Sequence, residues 1–417
     1  MEIGVIVRAG TIVDLLKISA LSTVICILAW RADVLTAGAE QPPPVSIPQT
    51  ESKADQRDEE PRSLWHYGLY LDLSYAVDFN FPENHLWRSK VTTQRVNDPN
   101  INMALAYVRK DANEASRWGM ELALQTGRDV TGEVPNASLR FGDPYPNADT
   151  FSHFSRANVS YLAPVGTGLT LTAGLFNSFI GYDSFYAKDN FNYTRSYLAD
   201  NSPYFMFGVA AQYQFGEAVK TAFYVINRYN FLSYPNNLPS YGTQVKWNAS
   251  SQLTVIQNLY YGPDQSNTQM KYWRFFSDSI LEWKRHAFTV ALAYDIGTEQ
   301  SIPEAGGRQA FWTGGAIWGH WQLARPWAVA VRPELYYDPD GTLTGAKQFI
   351  KAVTTTLEYR WYYAWTTTIF RLEYRFDNST GPQGGFYTGG QIAPGVIGLT
   401  PSQNLLFFSA LWSFDSR

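Results

Sequence analysis

The chain has 417 residues, of which 16% are aromatic and 17% are charged, and its formal net charge at pH 7 is −4. Charged residues make up about 25% of an ordinary soluble domain, so this composition favours elements with one apolar and one polar face. The near balance of charge excludes the strongly basic surface of a nucleic-acid-binding protein. The single cysteine, Cys26, excludes a disulfide framework.

The first residues, 1–39, predict a signal peptide for export. A basic start with Arg8 and Lys17 precedes an apolar run over residues 18–30, and the small residues at 37–39 offer a cleavage site. The run is shorter than the ~20 apolar residues that a transmembrane helix needs. A cleaved signal is therefore favoured over an N-terminal anchor helix.

The next segment, residues 40–63, predicts a disordered periplasmic arm. It is rich in proline, acidic, and free of aromatic residues, a composition that cannot bury enough apolar surface to fold. The remainder of the chain, residues 64–417, holds 27 basic and 28 acidic groups and is close to neutral.

Within residues 64–417, the stretch FRLEYRFD (370–377) shows the recurring pattern. Its charges stand at every second position, with large apolar groups between them. Successive side chains of a strand point to opposite faces, so a strand would have one charged and one apolar face. A helix would spread the same charges around its axis and leave no apolar stripe. About sixteen segments of this alternating kind, within a range of about 14 to 18, predict an all-β chain.

The connections between these segments alternate between short and long, which places the tight turns on one rim and the long loops on the other. This is the arrangement of a transmembrane antiparallel β-barrel with short periplasmic turns and long extracellular loops. A soluble sandwich, the alternative, has no reason to sort its loops by length. Because an arginine facing lipid at the midplane costs ~2–4 kcal/mol, the apolar face is predicted to point outward and the charges inward.

Three consecutive strands near the C-terminus each present Arg and Glu two residues apart, which predicts a ladder of paired charges on the lumen wall. Two interpretations stay open. The pairs hold the wall in register, or they set a transverse field that orients polar solutes. The predicted pore-lining residues are Arg332, Glu334, Glu358, Arg360, Arg371, Glu373, Arg375 and Asp377.

The longest connection, residues 177–204, is too aromatic for a plain exposed loop. It is predicted either to fold into the lumen and narrow the pore or to cap the rim from outside. The residues that it would offer to a constriction are Asp183, Lys188, Asn192 and Arg195.

Catalysis has little support in the sequence. The five histidines are scattered without metal-ligand spacing, and no GxSxG element is present. A triad assembled in space stays open. We expect no enzymatic activity, no cofactor and no metal.

Three motifs resemble the Putative beta-barrel porin-2, OmpL-like family, and the similarity extends over roughly residues 64–414. They are NFNYTRSYLADNSPYFMFG (190–208), VRPELYYDPDG (331–341) and RLEYRFDNS (371–379). The resemblance implies a porin-like barrel of the Gram-negative outer membrane. The residues to which it gives weight are Asn192, Arg195, Arg332, Glu334, Asp338, Arg371, Glu373, Arg375 and Asp377. Such barrels commonly end on an aromatic residue, whereas this chain continues past Phe414 with three more residues.

The sequence therefore predicts an outer-membrane porin for passive diffusion of small hydrophilic solutes. Its expected partners are outer-membrane lipid and those solutes, without nucleic acid, and it is a homotrimer or a monomer. Three alternatives stay open. They are a binding or adhesion barrel with a plugged lumen, a substrate-specific sugar channel, and an outer-membrane enzyme that acts on lipid.

Overall fold

The computed structural model describes residues 64–133, 153–229, 238–263, 272–300 and 307–416. The predicted signal peptide and periplasmic arm lie outside these residues. None of the described helices is long and apolar enough to cross a membrane.

Within the described residues, sixteen strands form one closed antiparallel barrel, so the predicted fold class and strand number are confirmed. The strands are β1 (Trp65–Asp78), β2 (Pro99–Lys110), β3 (Trp118–Thr126), β4 (Phe154–Ala163), β5 (Leu169–Asn177), β6 (Phe205–Phe215), β7 (Val219–Ile226), β8 (Ser240–Asn248), β9 (Leu253–Pro263), β10 (Trp273–Arg285), β11 (Phe288–Gln300), β12 (Gln309–Ala324), β13 (Trp327–Asp338), β14 (Gln348–Tyr363), β15 (Thr366–Thr380) and β18 (Ser402–Asp415). The two remaining strands, β16 (Phe386–Ala393) and β17 (Val396–Thr400), form a separate hairpin between β15 and β18.

The first and last strands close the barrel. β18 pairs with β1 along one edge, where Leu73 opposes Ala410, and with β15 along the other, where Arg371 opposes Ser409. Closure leaves no strand edge with unpaired backbone groups, which is the condition for a sheet to cross a membrane.

Short and long connections alternate along the chain, as predicted. The short ones are residues 111–117, 164–168, 216–218, 249–252, 286–287, 325–326 and 364–365. These define a short-turn rim, and the long connections define a long-loop rim at the other end of the strands.

The two faces of each strand differ as the alternation of residues requires. In β15, Phe370, Leu372 and Tyr374 are between 43% and 46% exposed, whereas Arg371 and Glu373 are buried. The apolar surface thus lies outside and the polar groups inside, the reverse of a soluble domain. Exposed aromatic residues gather at the short turn after β14, at positions 361–363 and 365, where a membrane interface favours them.

Three long connections contain the remaining elements that position the site. They are loop L1 (79–98), loop L2 (127–153), which begins with helix α1 (Arg128–Glu133), and loop L3 (178–204). L3 carries a 3-10 turn at Ala187–Asp189 and a single-turn helix α2 (Tyr197–Asp200), in which the Ser196 hydroxyl accepts a hydrogen bond from the Ala199 amide.

Candidate functional site: a charged wall against an inward loop

The eight predicted pore-lining residues share the inner face of β13, β14 and β15, and we call them the charged wall. The strands place opposite charges side by side, since Glu358 is the direct cross-strand partner of Arg371. Arg371 Nη2 lies 2.8 Å from Glu358 Oε2, and Arg375 Nη2 lies 2.8 Å from Glu334 Oε1. Seven of the eight are buried; the side chain of Arg360 is 31% exposed.

Two further ion pairs extend the wall along the strands. Arg375 Nε lies 2.8 Å from Asp377 Oδ1, and Arg360 Nη2 lies 2.9 Å from Glu358 Oε1. Glu358 therefore faces arginines on both sides, which offsets the cost of taking its charge out of water.

Loop L3 covers this wall, and Glu373 is its main attachment point. The Glu373 carboxylate accepts hydrogen bonds from the Tyr193 amide at 2.6 Å, the Thr194 amide at 2.9 Å and the Thr194 hydroxyl at 2.5 Å. The Thr356 hydroxyl donates a fourth bond at 2.6 Å. Charge-assisted bonds of this kind are about twice as strong as neutral ones, so they fix the backbone of L3 at Thr194.

The arginines of the wall bind carbonyl groups of the same loop. Arg371 Nη1 donates to the Ala187 carbonyl at 2.7 Å, and Arg371 Nη2 donates to the Asn190 carbonyl. Arg332 Nη1 donates to the Thr194 carbonyl at 2.6 Å. Because L3 contacts the inward side chains of three strands, it lies inside the barrel.

The four predicted constriction residues of L3 have different environments. Asp183 is buried, accepts a bond from Trp318 Nε1 at 2.9 Å and lies 3.6 Å from Arg332 Nη1. Asn192 is buried and donates to the Thr356 hydroxyl at 2.7 Å. Lys188 pairs with Asp189 at 3.1 Å and keeps about a quarter of its side chain exposed.

Arg195, the fourth constriction residue, faces away from the wall. It lies 3.0 Å from the Asp129 carboxylate of helix α1, and both side chains are fully buried. Lys188 alone of the four is thus accessible to solvent, and a role of these residues in lining an open pore stays a prediction.

A family described as Putative beta-barrel porin-2, OmpL-like matches residues 65–414. The chain belongs to this family. The solved structure of an anion-selective porin from Comamonas acidovorans is 10% identical, with a TM-score of 0.50, and the match covers 84% of this chain and 98% of that chain. Salmonella typhi OmpF in complex with daunomycin is 9% identical, with a TM-score of 0.50, over 84% and 97% of the two chains. At these identities the likeness shows the fold alone. A comparison with curated protein sequences gives no match.

In this porin-family barrel, ion pairs also join L1, L2 and L3 near the long-loop rim. Lys90 of L1 pairs with Asp200 of L3, Arg195 of L3 pairs with Asp129 of L2, and all four side chains are fully buried. We call these four residues the loop cluster. Backbone contacts reinforce it, since the Thr93 amide donates to Asp129 at 2.7 Å.

Burial shifts the protonation equilibria of the loop cluster. It raises the pKa of Asp129 to about 7, although Arg195 opposes this shift. Burial also lowers the pKa of Lys90, and the Asp200 carboxylate opposes that shift in turn. Desolvation disfavours the charged form of either group.

Sequence reasoning missed the other inward acids. Asp278 and Asp295 are direct cross-strand partners on β10 and β11, and both are buried. The Gly181 amide of L3 donates to Asp278 at 2.7 Å. Asp72 of β1 likewise accepts a bond from the Tyr193 hydroxyl at 2.9 Å. Each of these acids is a charged residue at an inward position of a strand that is otherwise largely apolar. That isolated charge is the signal that could have identified them.

Space remains in the lumen on the other side of L3. A cavity of about 780 Å³ extends from the β2–β3 connection, at Asp111, to the start of L3, at Ser178. Its walls are the inward faces of β3 to β8. Polar side chains thus line the part of the lumen that lies beside L3.

Proposed function

We propose that this protein is an outer-membrane porin through which small hydrophilic solutes diffuse passively, with L3 as the constriction. The observation that carries the proposal is the attachment of L3 to the charged wall inside a closed barrel. A loop that narrows a channel must hold its position against water and thermal motion. Three loop donors on Glu373 and the carbonyl contacts of Arg371 supply that rigidity.

The contacts favour one of the two interpretations of the charged wall. Arg332, Glu373 and Arg375 are fully buried, so their charges face L3 and not open water. Their main role in the proposal is to hold the loop. The wall also carries as many positive as negative charges, and we therefore expect weak ion selectivity. As part of the same proposal, we expect no enzymatic activity.

The orientation in the membrane follows from the same proposal. The long-loop rim faces the outside of the cell and the short-turn rim faces the periplasm, where an arm formed by residues 40–63 would begin. Residues 1–39 would direct export and be removed. Both barrel termini lie at the short-turn rim because the strand number is even.

One observation favours a second candidate, a binding barrel with a plugged lumen. The loop cluster is fully buried near the long-loop rim, which shows that L1, L2 and L3 pack closely there. If the three loops close the rim completely, the barrel would bind ligands at its outer surface and would not conduct.

Conductance of the purified, folded protein in a planar bilayer separates the two candidates. A porin gives steady openings whose conductance scales with bulk salt concentration. The folding of the same protein sample is checked by its heat-dependent gel mobility. If the protein is folded and the bilayers show no conductance, the plugged barrel is favoured and the porin proposal is overturned.

A further inference from the structure

The cavity beside L3 has the size and position of a solute site. Its volume of about 780 Å³ falls within the ~300–1,000 Å³ of typical ligand pockets. The lining strands present polar residues inward, while Val159, Tyr161 and Leu171, which alternate with them, are exposed on the outer surface. Any solute that crosses the barrel on this side of L3 passes through the cavity.

Neutral hydrogen-bonding groups dominate one wall of this cavity. They are Asn158, Ser160, Thr170, Thr172, Gln212 and Gln244. Within the described residues, the hydroxyls of Ser160, Thr170 and Thr172 bond to no protein group, which leaves them available to a solute. Gln244 is fixed in place, because its side-chain amide donates to the Phe179 carbonyl at 3.0 Å and to Asn258 at 2.8 Å.

Two of the three cations that line the cavity are paired with carboxylates. Arg156 Nε lies 2.6 Å from Glu121 Oε1, and Arg109 Nε lies 2.8 Å from Asp111 Oδ1. Lys110 donates to the Trp118 carbonyl at 2.6 Å. The cavity therefore offers few unpaired charges to an ion, whereas its hydroxyl and amide groups both donate and accept hydrogen bonds.

We propose that this cavity binds a neutral polyhydroxylated solute, of the class of mono- and disaccharides. The inference rests on the proposed porin function and specifies its substrate class. Solute hydroxyls replace the water that hydrates Thr170, Thr172 and Gln212. The half-buried ring of Phe176 gives an apolar surface for the C–H face of a sugar.

The test uses single-channel current through the full-length mature protein with glucose or sucrose added. Polyethylene glycol of similar hydrodynamic size controls for simple volume exclusion, and glucose 6-phosphate tests for an anion site. The sugar is expected to reduce the current saturably and more strongly than the glycol does. The double variant Thr170→Val/Thr172→Val should bind the sugar more weakly. The sugar concentration that blocks half of the current should therefore rise by about tenfold, the effect of losing about two hydrogen bonds.

The matched control is Thr243→Val, which makes the same chemical change on β8 next to Gln244 but on the exposed outer face. It should leave both conductance and sugar block unchanged. Two results would overturn this inference and leave the porin function intact. In the first, the protein conducts and the sugar reduces the current no more strongly than the glycol does. In the second, the protein conducts and only glucose 6-phosphate blocks the current. If the folded protein does not conduct, calorimetric titration of the detergent-solubilised protein with sucrose decides the inference separately, and an absence of binding there overturns it.

Discussion

The backbone amide of Thr194 donates a 2.9 Å hydrogen bond to the carboxylate of Glu373, 179 residues later in the chain. This bond joins the tip of a long loop to the centre of the fifteenth strand. Both groups are fully buried, so the carboxylate keeps its charge out of water only because donors from L3 and from Thr356 surround it.

Glu373→Gln is therefore expected to loosen L3. The substituted amide presents N–H groups where the loop also presents donors, which leaves buried groups unsatisfied at a cost of about 1–3 kcal/mol. We expect larger or noisier conductance and faster proteolysis within L3, with the barrel still folded.

The matched control for that change is Glu114→Gln, which alters an exposed glutamate at the short-turn rim. It should change neither conductance nor proteolysis. An L3 that stays equally resistant to protease in Glu373→Gln would contradict the anchoring role of Glu373.

Neutral substitution of Arg371 and Arg375 tests the electrical role of the wall. Replacing both by glutamine removes two positive charges and leaves Glu358 and Glu334 with fewer partners. We expect a shift toward cation selectivity, measured as the reversal potential in a salt gradient. A reversal potential that does not move, together with altered conductance, would show that the arginines act only by holding L3.

The loop cluster is expected to respond to pH. Asp129 has a folded-state pKa of about 7, above the ordinary value of 3.8, so folding favours its neutral form. The stability that this group contributes is fully present below the ordinary value and is lost as the pH rises through about 7. L1 and L3 should thus become more susceptible to protease as the pH rises from about 4 to about 7, and their susceptibility should level off above that.

The groups that face Asp129 are Arg195 from L3, Asp200 from helix α2, Asp72 from β1 and the Thr93 amide from L1. Asp129→Asn keeps the size of the side chain and removes its titration. Its protease susceptibility should be flat over the same pH interval. A variant with the pH dependence of the parent protein would assign the effect to another group.

The barrel itself was predictable because its signals are local. The alternation of FRLEYRFD fixes which side chains of β15 point outward, since the side-chain period of a strand is two. The alternation of connection lengths fixes the two rims, as the short turn at 364–365 and the long connection after β15 illustrate.

The path of L3 was not predictable in the same way. The aromatic content of L3 indicated that the loop needs a surface to pack on, but either side of the rim would have served. The choice depends on contacts between residues far apart in sequence, such as the Tyr193 amide with Glu373 and Arg195 with Asp129. Asp129 itself stands in a short polar stretch that no pattern distinguishes from an ordinary loop.

The facing acids Asp278 and Asp295 lead to a prediction about stability. They are direct cross-strand partners inside the barrel, and both are buried. Two carboxylates in contact repel when both are charged. Asp295→Asn offers a donor toward Asp278 and removes the repulsion, so it should raise the thermal unfolding temperature in detergent at pH 8 by a few degrees, about 1 kcal/mol. Asp377→Asn is the contrasting variant, because Asp377 pairs with Arg375 at 2.8 Å, and it should lower the unfolding temperature. Equal losses of stability in both variants would show that Asp295 carries a favourable charge.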